Sequence, residues 1–440
     1  MKKGKLVLTI LVGLCLMASC NSASNRHTES ALIQDKTGSK DNNLIAADIV
    51  YDLKMVTGFE GVLSSPYSGN SEGAYQILDN LDGSVNILYT DYVTHQRIFL
   101  SNKPDSTHYD ESDTSWIENG YGGCIPIVAG DKLYVFKFAV PSGIEDKGED
   151  ALGCIYQSDL NGANRKQLLR LEADEEIYSS FAYDGDFLYC LLTKSGEERS
   201  INLIKIDINS GSKTIIKTFE DSKEYFIVGA YQEMIIIKEI GMPEVNEEVI
   251  PEDFSWEDSY LSQEHTLYAY TLTSGEYKEL KTWKQDELID IVHDGVVYFL
   301  NCESGMIDSF NLATGQETSL AEKIELKGQV PQVGDVFDNH LILYVYDSDV
   351  TDSRKLAVDL ETGKVKEITL MAGDVNANIL AETKTHFLVT TGLEIIELDD
   401  VGPDGQPTKI PFQWQTFSLI SKEDYWNNNP NYEKIDDDIF

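Results

Sequence analysis

Acidic residues occur at high density in four segments of the sequence. Segment 243–264 contains eight acids and no base, 142–152 four acids and one lysine, 171–177 four acids, and 347–352 three acids. Such a surface attracts cations or a basic partner at long range, although surface acids also simply keep a protein dispersed. The candidate partner-binding residues, all in the first segment, are Glu244, Glu247, Glu248, Glu252, Asp253, Phe254, Trp256, Glu257 and Asp258.

Two patterns could hold a metal ion. A D-x-D-x-x-D run offers three carboxylates for calcium, although it lacks the Gly and the terminal Glu of a full calcium loop. Its members are Asp347, Asp349 and Asp352. His108 with Asp105 and Asp110 is the best site that contains a histidine. We therefore predict no cofactor, with calcium binding as the alternative.

Catalytic signatures are missing from the sequence. It contains no H-E-x-x-H, no G-x-S-x-G and no phosphate-binding G-x-x-x-x-G-K-[ST]. Two carboxylates that the fold brings together could still cleave glycosidic bonds, which a sequence cannot exclude. We expect a non-catalytic binding or scaffolding module, with a carbohydrate-active hydrolase or lyase as the alternative.

The whole chain is strongly acidic, with 35 Lys and Arg against 75 Asp and Glu in 440 residues and a net charge of −40. A nucleic-acid partner is excluded because such binders need clustered cations to replace counterions on the phosphates. Anionic lipid headgroups also repel this chain, so membrane attachment has to be hydrophobic or covalent. The expected partner is a surface protein or a glycan, and the charge favours a cationic one.

The first twenty residues predict the location of the protein. Lysines precede a twelve-residue apolar stretch, 6–17, which is too short to span a bilayer and is typical of a secretory signal. The residues M-A-S before Cys20 resemble a bacterial lipobox, in which the cysteine is acylated; a plain secretory signal is the alternative. We predict a signal peptide over 1–19, a lipidated Cys20 with a flexible tether over 20–45, and a lipid-anchored, extracytoplasmic location at the cell membrane.

Four cysteines remain beyond Cys20, namely Cys124, Cys154, Cys190 and Cys302. They form no C-x-x-C pair, which argues against a zinc ribbon or a redox dithiol. We expect buried free thiols on strands.

A repeated hairpin is the strongest structural signal. Seven hairpins, each with a short turn between apolar or alternating runs of strand length, follow at spacings of roughly 44 to 63 residues, and D-G, N-G, S-G or T-G marks many turns of the repeated units. One four-stranded sheet of this size cannot bury both faces, so the units must pack around an axis. We predict an all-β fold, a seven-bladed β-propeller of four-stranded antiparallel sheets over 46–425, followed by an acidic C-terminal tail over 426–440.

Two repeats carry a family resemblance. The segments A-V-D-L-E-T-G-K at 357–364 and K-I-D-I-N-S-G at 205–211 resemble the turn of TolB-like and quinoprotein-like propellers, over roughly residues 73–420. The resemblance implies the propeller fold but no activity. A pyrroloquinoline quinone site is not implied, because the tryptophan that follows the turn in quinoprotein blades is missing.

A second resemblance is to surface propeller lipoproteins of Firmicute bacteria, which carry a C-x-K-P-x-C-x-H segment. Residues 101–108, S-N-K-P-D-S-T-H, keep the Lys, Pro and His, but Ser101 and Ser106 replace both cysteines. Residues 419–426 also resemble the ending of that family. A disulfide or metal role for this segment is therefore not carried over.

The order of the strands gives two further predictions. Blade one has a hairpin over 73–91 and a third strand over 96–101, so we expect residues 414–420 to complete it and close the ring with a C-terminal strand. The insertions at 142–152, 242–264 and 347–352 each fall between the second and third strand of a blade. They should all project from one face, where binding is expected.

Overall fold

The computed structural model describes residues 52–56, 67–140, 151–241, 263–346, 353–401 and 406–439, apart from positions 102, 104, 105, 119, 121, 122, 179, 197, 198, 286, 321, 322, 327, 328 and 438. Regular structure in these ranges is almost all β-strand, with one short helix, α1 (Lys422–Trp426). None of the helical structure in these ranges is long and apolar enough to cross a membrane.

Seven sheets of four principal antiparallel strands follow one another along the chain, which makes the fold a seven-bladed β-propeller, as predicted. Within each blade the strands lie in chain order from the ring axis outward and are called A to D here. A first strand, β1 (Lys54–Met55), precedes the blades.

The bounds of the blades are as follows. Blade one has β2 (Tyr67–Gly69), β3 (Gly73–Asp79), β4 (Val85–Asp91) and β5 (Gln96–Phe99), with β6 (Trp116–Ile117) beside β4. Blade two has β7 (Cys124–Ala129), β8 (Lys132–Lys137), β9 (Cys154–Asp159) and β10 (Lys166–Arg170). Blade three has β11 (Glu175–Ile177) and β12 (Ala182–Tyr183) as an interrupted strand A, then β13 (Phe187–Lys194), β14 (Ser200–Asp207) and β15 (Lys213–Phe219). Blade four has β16 (Lys223–Tyr231), β17 (Met234–Gly241), β18 (Glu264–Thr271) and β19 (Tyr277–Lys284).

The remaining blades complete the ring. Blade five has β20 (Leu288–His293), β21 (Val296–Asn301), β22 (Ile307–Asn311) and β23 (Glu317–Ser319). Blade six has β24 (Val330–Phe337), β25 (His340–Tyr346), β26 (Ser353–Asp359) and β27 (Val365–Ile368), followed by the small hairpin β28 (Met371–Ala372) and β29 (Val375–Asn376). Blade seven has β30 (Ile379–Glu382), β31 (His386–Val401), β32 (Pro407–Ser421) and β33 (Glu433–Lys434), and a last strand is β34 (Asp436–Asp437).

The chain connections define two faces of the ring. The AB face carries the A–B and C–D turns, and the BC face carries the B–C and D–A connections. In four of the C–D turns, those of blades one, three, five and six, a carboxylate or amide oxygen accepts hydrogen bonds from the backbone N–H groups two and three residues ahead. The residues that provide this oxygen are Asp91, Asp207, Asn311 and Asp359.

Gly211 shows why the repeat needs glycine in this turn. Its φ is 71°, in the left-handed region, and an added Cβ would lie 1.8 Å from the Leu168 carbonyl oxygen of blade two. A side chain is therefore excluded both by the backbone conformation and by the close approach of the neighbouring blade.

Apolar side chains fill the spaces between neighbouring blades. The space between blades two and three contains Phe136, Ile155, Leu188 and Ile204, all essentially inaccessible to solvent. Each such side chain stabilises the fold by about 1.5–3 kcal/mol relative to leaving it exposed. As predicted, Cys154 and Cys190 are buried on strands and form no disulfide, whereas Cys124 on β7 and Cys302 in a turn are only partly buried.

The prediction for blade one is wrong in its strand order. The hairpin over 73–91 forms strands B and C, and residues 96–99 form strand D, because Tyr67–Gly69 supplies strand A. The turn at Asp82 and Gly83 therefore lies on the BC face instead of the AB face. Strand A has only three residues and its turn lacks a glycine, so it gives no hairpin signal in the sequence.

The prediction that residues 414–420 complete blade one is also wrong. They belong to β32, which pairs along its whole length with β31 of blade seven, because the two runs form one long hairpin with sequential hydrogen bonding. The ring is nevertheless closed by a C-terminal strand. It is β34, which pairs in parallel with β5 of blade one through Gln96 and Arg97.

Much of the predicted acidic tail, 426–440, belongs to the ring, which corrects that boundary. β33 is strand D of blade seven, β34 joins blade one, and Ile435 between them is buried in the apolar cluster that joins the two blades. Alternation over such short polar runs could not reveal these strands, which depend on distant partners.

Helix α1 joins blades six and seven on the AB face. The Lys422 ammonium contacts the Asp338 carboxylate at 3.0 Å and also the Glu382 carboxylate, and the Trp426 indole donates to Asp338 at 2.9 Å. Trp426 also stacks on His340. The segment 419–426 therefore has a structural role in fastening two blades.

Strand β1 lies on the axis side of blade three. Lys54 pairs with Tyr183 and Met55 with Ala182, while Leu53 pairs with Gln232 in the A–B turn of blade four. The chain therefore enters this position from the AB face and runs towards the BC face.

Candidate binding face and the His108–Asp113 pair

Most of the predicted site residues lie outside the described ranges. This holds for all nine candidate partner-binding residues from Glu244 to Asp258. It also holds for Asp347, Asp349 and Asp352, and for Cys20. The strands that flank the insertions are described, and they confirm that all three insertions connect strand B to strand C, in blades two, four and six. The structure therefore roots the three insertions on the BC face.

The acids of segment 171–177 are partly neutralised by lysines. Glu175 is nearly buried and forms an ion pair with Lys213, and the Asp174 carboxylate lies 3.3 Å from the Lys194 ammonium. This segment therefore contributes less free negative charge to the BC face than its composition indicates.

Two ion pairs involve β17, the strand of blade four that precedes the 242–262 insertion. The Lys238 ammonium lies 2.8 Å from the Asp290 carboxylate of blade five, and their side chains are only 8% and 3% exposed. Lys223 donates to Glu239 at 2.6 Å, and this hydrogen bond raises the pKa of Lys223. The long insertion is thus rooted in a strand that is fastened to the next blade by a buried ion pair.

A hairpin arm on the BC face was missed by sequence reasoning. β31 and β32 are twice as long as most strands of the ring and extend beyond their neighbours, with a bulge between Thr390 and Gly392 where the arm begins. The signal that could have revealed it is the P-D-G sequence at 403–405, which is typical of turns and stands between two alternating runs.

One face of the arm covers blade one. Trp414 is buried with Leu78 and Leu88, and Phe412 and Phe99 pack against the same cluster. Phe99 of blade one therefore packs against the cluster under the arm and also stacks on His108.

His108 is held in one orientation by its surroundings. Its Nδ1 lies 2.8 Å from the Asp113 carboxylate, and its ring stacks on Phe99 with 4.1 Å between ring centroids. Asn86 donates a hydrogen bond to its backbone carbonyl. Because Nδ1 is directed at a carboxylate, Nε2 is the nitrogen left to accept a proton or a hydrogen bond from a ligand.

Asp113 is the centre of this loop and is only 1% exposed. Its carboxylate accepts hydrogen bonds from the Ser101 hydroxyl at 2.9 Å and from the Ser115 hydroxyl and N–H at 2.8 and 2.7 Å. Burial raises the pKa of Asp113, but hydrogen bonds from Ser106, Ser115 and Ser101 outweigh it and lower the pKa to about 2. Ser101 and Ser106, the two serines at the cysteine positions of the lipoprotein segment, thus both donate hydrogen bonds to Asp113.

The low pKa of Asp113 predicts how stability changes with pH. Since the folded pKa lies below the usual value, the ionised carboxylate stabilises the fold above about pH 4, and this contribution is lost as the pH falls towards 2. Asp113→Asn should lower the free energy of unfolding by about 1–3 kcal/mol at pH 6. Urea unfolding should show this difference shrinking between pH 4 and pH 3, whereas Asp131→Asn, at an exposed turn, should change nothing. A difference that stays constant with pH would contradict the assignment.

The predicted metal set around His108 is not assembled by the described residues. Asp105 lies outside them, and Asp110 accepts a hydrogen bond from the Ser112 N–H in a local turn. Within the part of the chain that the structure describes, no group of three His, Cys, Asp or Glu residues could hold a metal ion. The pairing of His108 with Asp113 was not predicted.

Comparison with solved structures finds weak likenesses to proteins that contain propellers. The β-propeller domain of the Trilobed protease from Pyrococcus furiosus is 10% identical, with a TM-score of 0.44 over 81% of this chain and 96% of that one. TolB from Acinetobacter baumannii is 14% identical, with a TM-score of 0.35 over 81% and 77%. An oligogalacturonate lyase in complex with manganese is 14% identical, with a TM-score of 0.39 over 77% and 84%. These likenesses carry no argument about activity.

No protein-family model and no curated protein matches the chain. The fold assignment therefore rests on the strand pairing described above, which makes the chain a seven-bladed β-propeller.

Proposed function

We propose that this chain is a lipid-anchored, extracytoplasmic propeller that acts as a non-catalytic binding or scaffolding module at the cell surface. The observation that carries the proposal is the division of the two faces. The three insertions and the arm are rooted on the BC face, while β1, which follows the N-terminal segment, enters from the AB face beside Gln232. An anchor at Cys20 would thus be joined to one face and a partner would be bound at the other.

Membrane fractionation and affinity capture test this function together. The full chain should be recovered with membranes and Cys20→Ser should be released into the medium, since acylation is the proposed attachment. Captured proteins or glycans should remain with both forms. Release of both forms to the same extent would contradict the anchor without affecting the proposed binding.

The structure provides a replacement for the acidic insertion. In blade five the B–C connection is a tight turn in which Asn301 accepts from the Gly305 N–H at 2.8 Å and from the Ser304 N–H at 2.6 Å. Grafting this turn in place of 242–262 should leave the melting temperature nearly unchanged, because strands of another blade are already joined in this way. Partner capture should fall by about tenfold or more if the insertion makes the contact.

A matched control separates charge from length. An insertion of equal length made of Ser and Asn should also lose capture if the acids attract the partner, and the wild-type interaction should weaken with salt. Undiminished capture by the grafted protein would place the contact elsewhere on the ring.

A carbohydrate-active enzyme is the second candidate, favoured by the His108–Asp113 pair. A histidine oriented by a buried carboxylate can take a proton at Nε2, as an elimination or a hydrolysis requires. A panel of polysaccharides incubated with the protein tests this: turnover that His108→Gln abolishes would support an enzyme, and no turnover by the wild type would leave the binding module as the function.

A further inference from the structure

The arm of blade seven has backbone edges that the rest of the ring does not cover. We define the arm as residues 393–401 and 407–415. β30 pairs with β31 only as far as Val389, and β33 pairs with β32 only at Ser418 and Leu419. In the part of the chain that the structure describes, no further strand pairs with the arm.

The arm is also exposed on one face. Phe412 and Trp414 pack on blade one, but Leu393 and Ile395 point the other way and are 52% and 72% exposed. An isolated two-stranded hairpin is marginally stable in water. A third strand would add both backbone hydrogen bonds and cover for these apolar side chains.

The register shows which backbone groups are free to bind. Pro411 lies opposite Glu397. Because a proline has no N–H to donate between the strands, the two residues form a non-hydrogen-bonded pair, in which the backbone N–H and C=O groups point away from the partner strand. With a period of two, Leu393, Ile395 and Glu397 all direct their N–H and C=O groups to the outer edge of β31. The Gln415 carbonyl opposite Leu393 agrees with this, since it is turned outward to the Arg97 guanidinium at 2.8 Å.

The two edges differ in their capacity to pair. The β32 edge contains Pro407 and Pro411, which remove donors, and Arg97 occupies its Gln415 carbonyl. Prolines and blocked groups of this kind protect an edge strand from pairing. The β31 edge over 393–398, L-E-I-I-E-L, has neither.

We propose that the β31 edge of the arm binds an extended segment of another protein as an added strand. The segment alternates apolar and basic residues, because its apolar side chains must cover Leu393 and Ile395 on one face while its basic side chains meet the exposed Glu394 on the other. A second copy of this chain fits poorly, since pairing the same edge would oppose like charges in a protein of net charge −40. This inference rests on the proposed binding function and identifies the β31 edge as the surface that contacts the partner.

A labelled peptide of alternating lysine and valine tests the edge directly with the full chain. Ile395→Pro removes one outward N–H as Pro411 does on the other strand, and it should weaken binding by about tenfold or more. Ile395→Thr keeps the N–H and should weaken binding only slightly. A lysine–glycine peptide of equal charge, which disfavours a strand, should bind at least about tenfold more weakly than the lysine–valine peptide. Glu394→Lys, the second variant, reverses the charge that the lysines meet without changing the backbone, and it should also weaken binding of the lysine–valine peptide.

Amide hydrogen exchange gives the positional readout. The lysine–valine peptide should protect the amides of Leu393, Ile395 and Glu397 and leave that of Lys409 unaffected. Equal binding by wild type and both variants, or equal binding of the two peptides, would overturn the proposal. Capture of a cell-surface partner that Ile395→Pro leaves intact would also overturn it while preserving the binding function.

Discussion

Asp437→Ala is expected to lower the free energy of unfolding by about 3 kcal/mol. Asp437 lies in β34 and forms an ion pair with Arg97, which is only 1% exposed and lies between the rings of Trp414 and Phe417. Asp437 also accepts a hydrogen bond from the Trp414 indole at 2.6 Å. Removing the carboxylate leaves a buried guanidinium without its counter-charge at the seam where the ring closes.

Urea denaturation of the full chain measures this effect. Asp436→Ala, next to it in the same strand but exposed, is the matched control and should change the free energy by less than about 0.5 kcal/mol. Deletion of 433–440 should cost more than Asp437→Ala, because it also removes β33 and the buried Ile435. Equal stability of the deletion and the wild type would show that the ring closes without its C-terminal strand.

Asp290→Ala is expected to cost about 3–5 kcal/mol. The variant leaves the buried Lys238 ammonium without this carboxylate between blades four and five, and desolvated charge is costly when its partner is removed. Chemical unfolding should show the loss, whereas Glu303→Ala, at an exposed turn of the same blade, should be nearly neutral.

The double variant Lys238→Met with Asp290→Leu separates charge burial from packing. Replacing both charges by apolar groups of similar size should recover most of the stability, because the ion pair itself contributes little net free energy. A double variant that is less stable than Asp290→Ala would show that the interface depends on the charges themselves.

The number and kind of blades could be predicted because most blades contain at least one turn with a local sequence signal. Asp207 and Asp359 cap their C–D turns with side-chain oxygens, and Gly211 permits a backbone that other residues avoid. The strands between them alternate in polarity. The strand order of blade one was predicted wrongly because its strand A is only three residues long. The closing strand β34 was missed because it consists of two aspartates, which predict solvent exposure when read alone.

The candidate site was predictable only in its location. B–C connectivity, which follows from strand order, correctly assigned the three insertions to one face. The His108–Asp113 pair follows from a loop conformation in which Ser101, Ser106 and Ser115 converge on one carboxylate, and no spacing rule predicts that. Arg97 gave no signal either, because a single arginine on a strand is usually solvated.

The axial position of β1 has a mechanical consequence. Leu53, Met55 and Val56 are buried, and the backbone is bonded to Ala182 and Tyr183 of blade three. A force applied to the preceding residues from outside the AB face would pull β1 lengthwise, so that these contacts resist together in shear instead of peeling one by one. A load on that end of the chain would therefore act first on the strands beside the ring axis. The outer strands of the blades would not bear it directly.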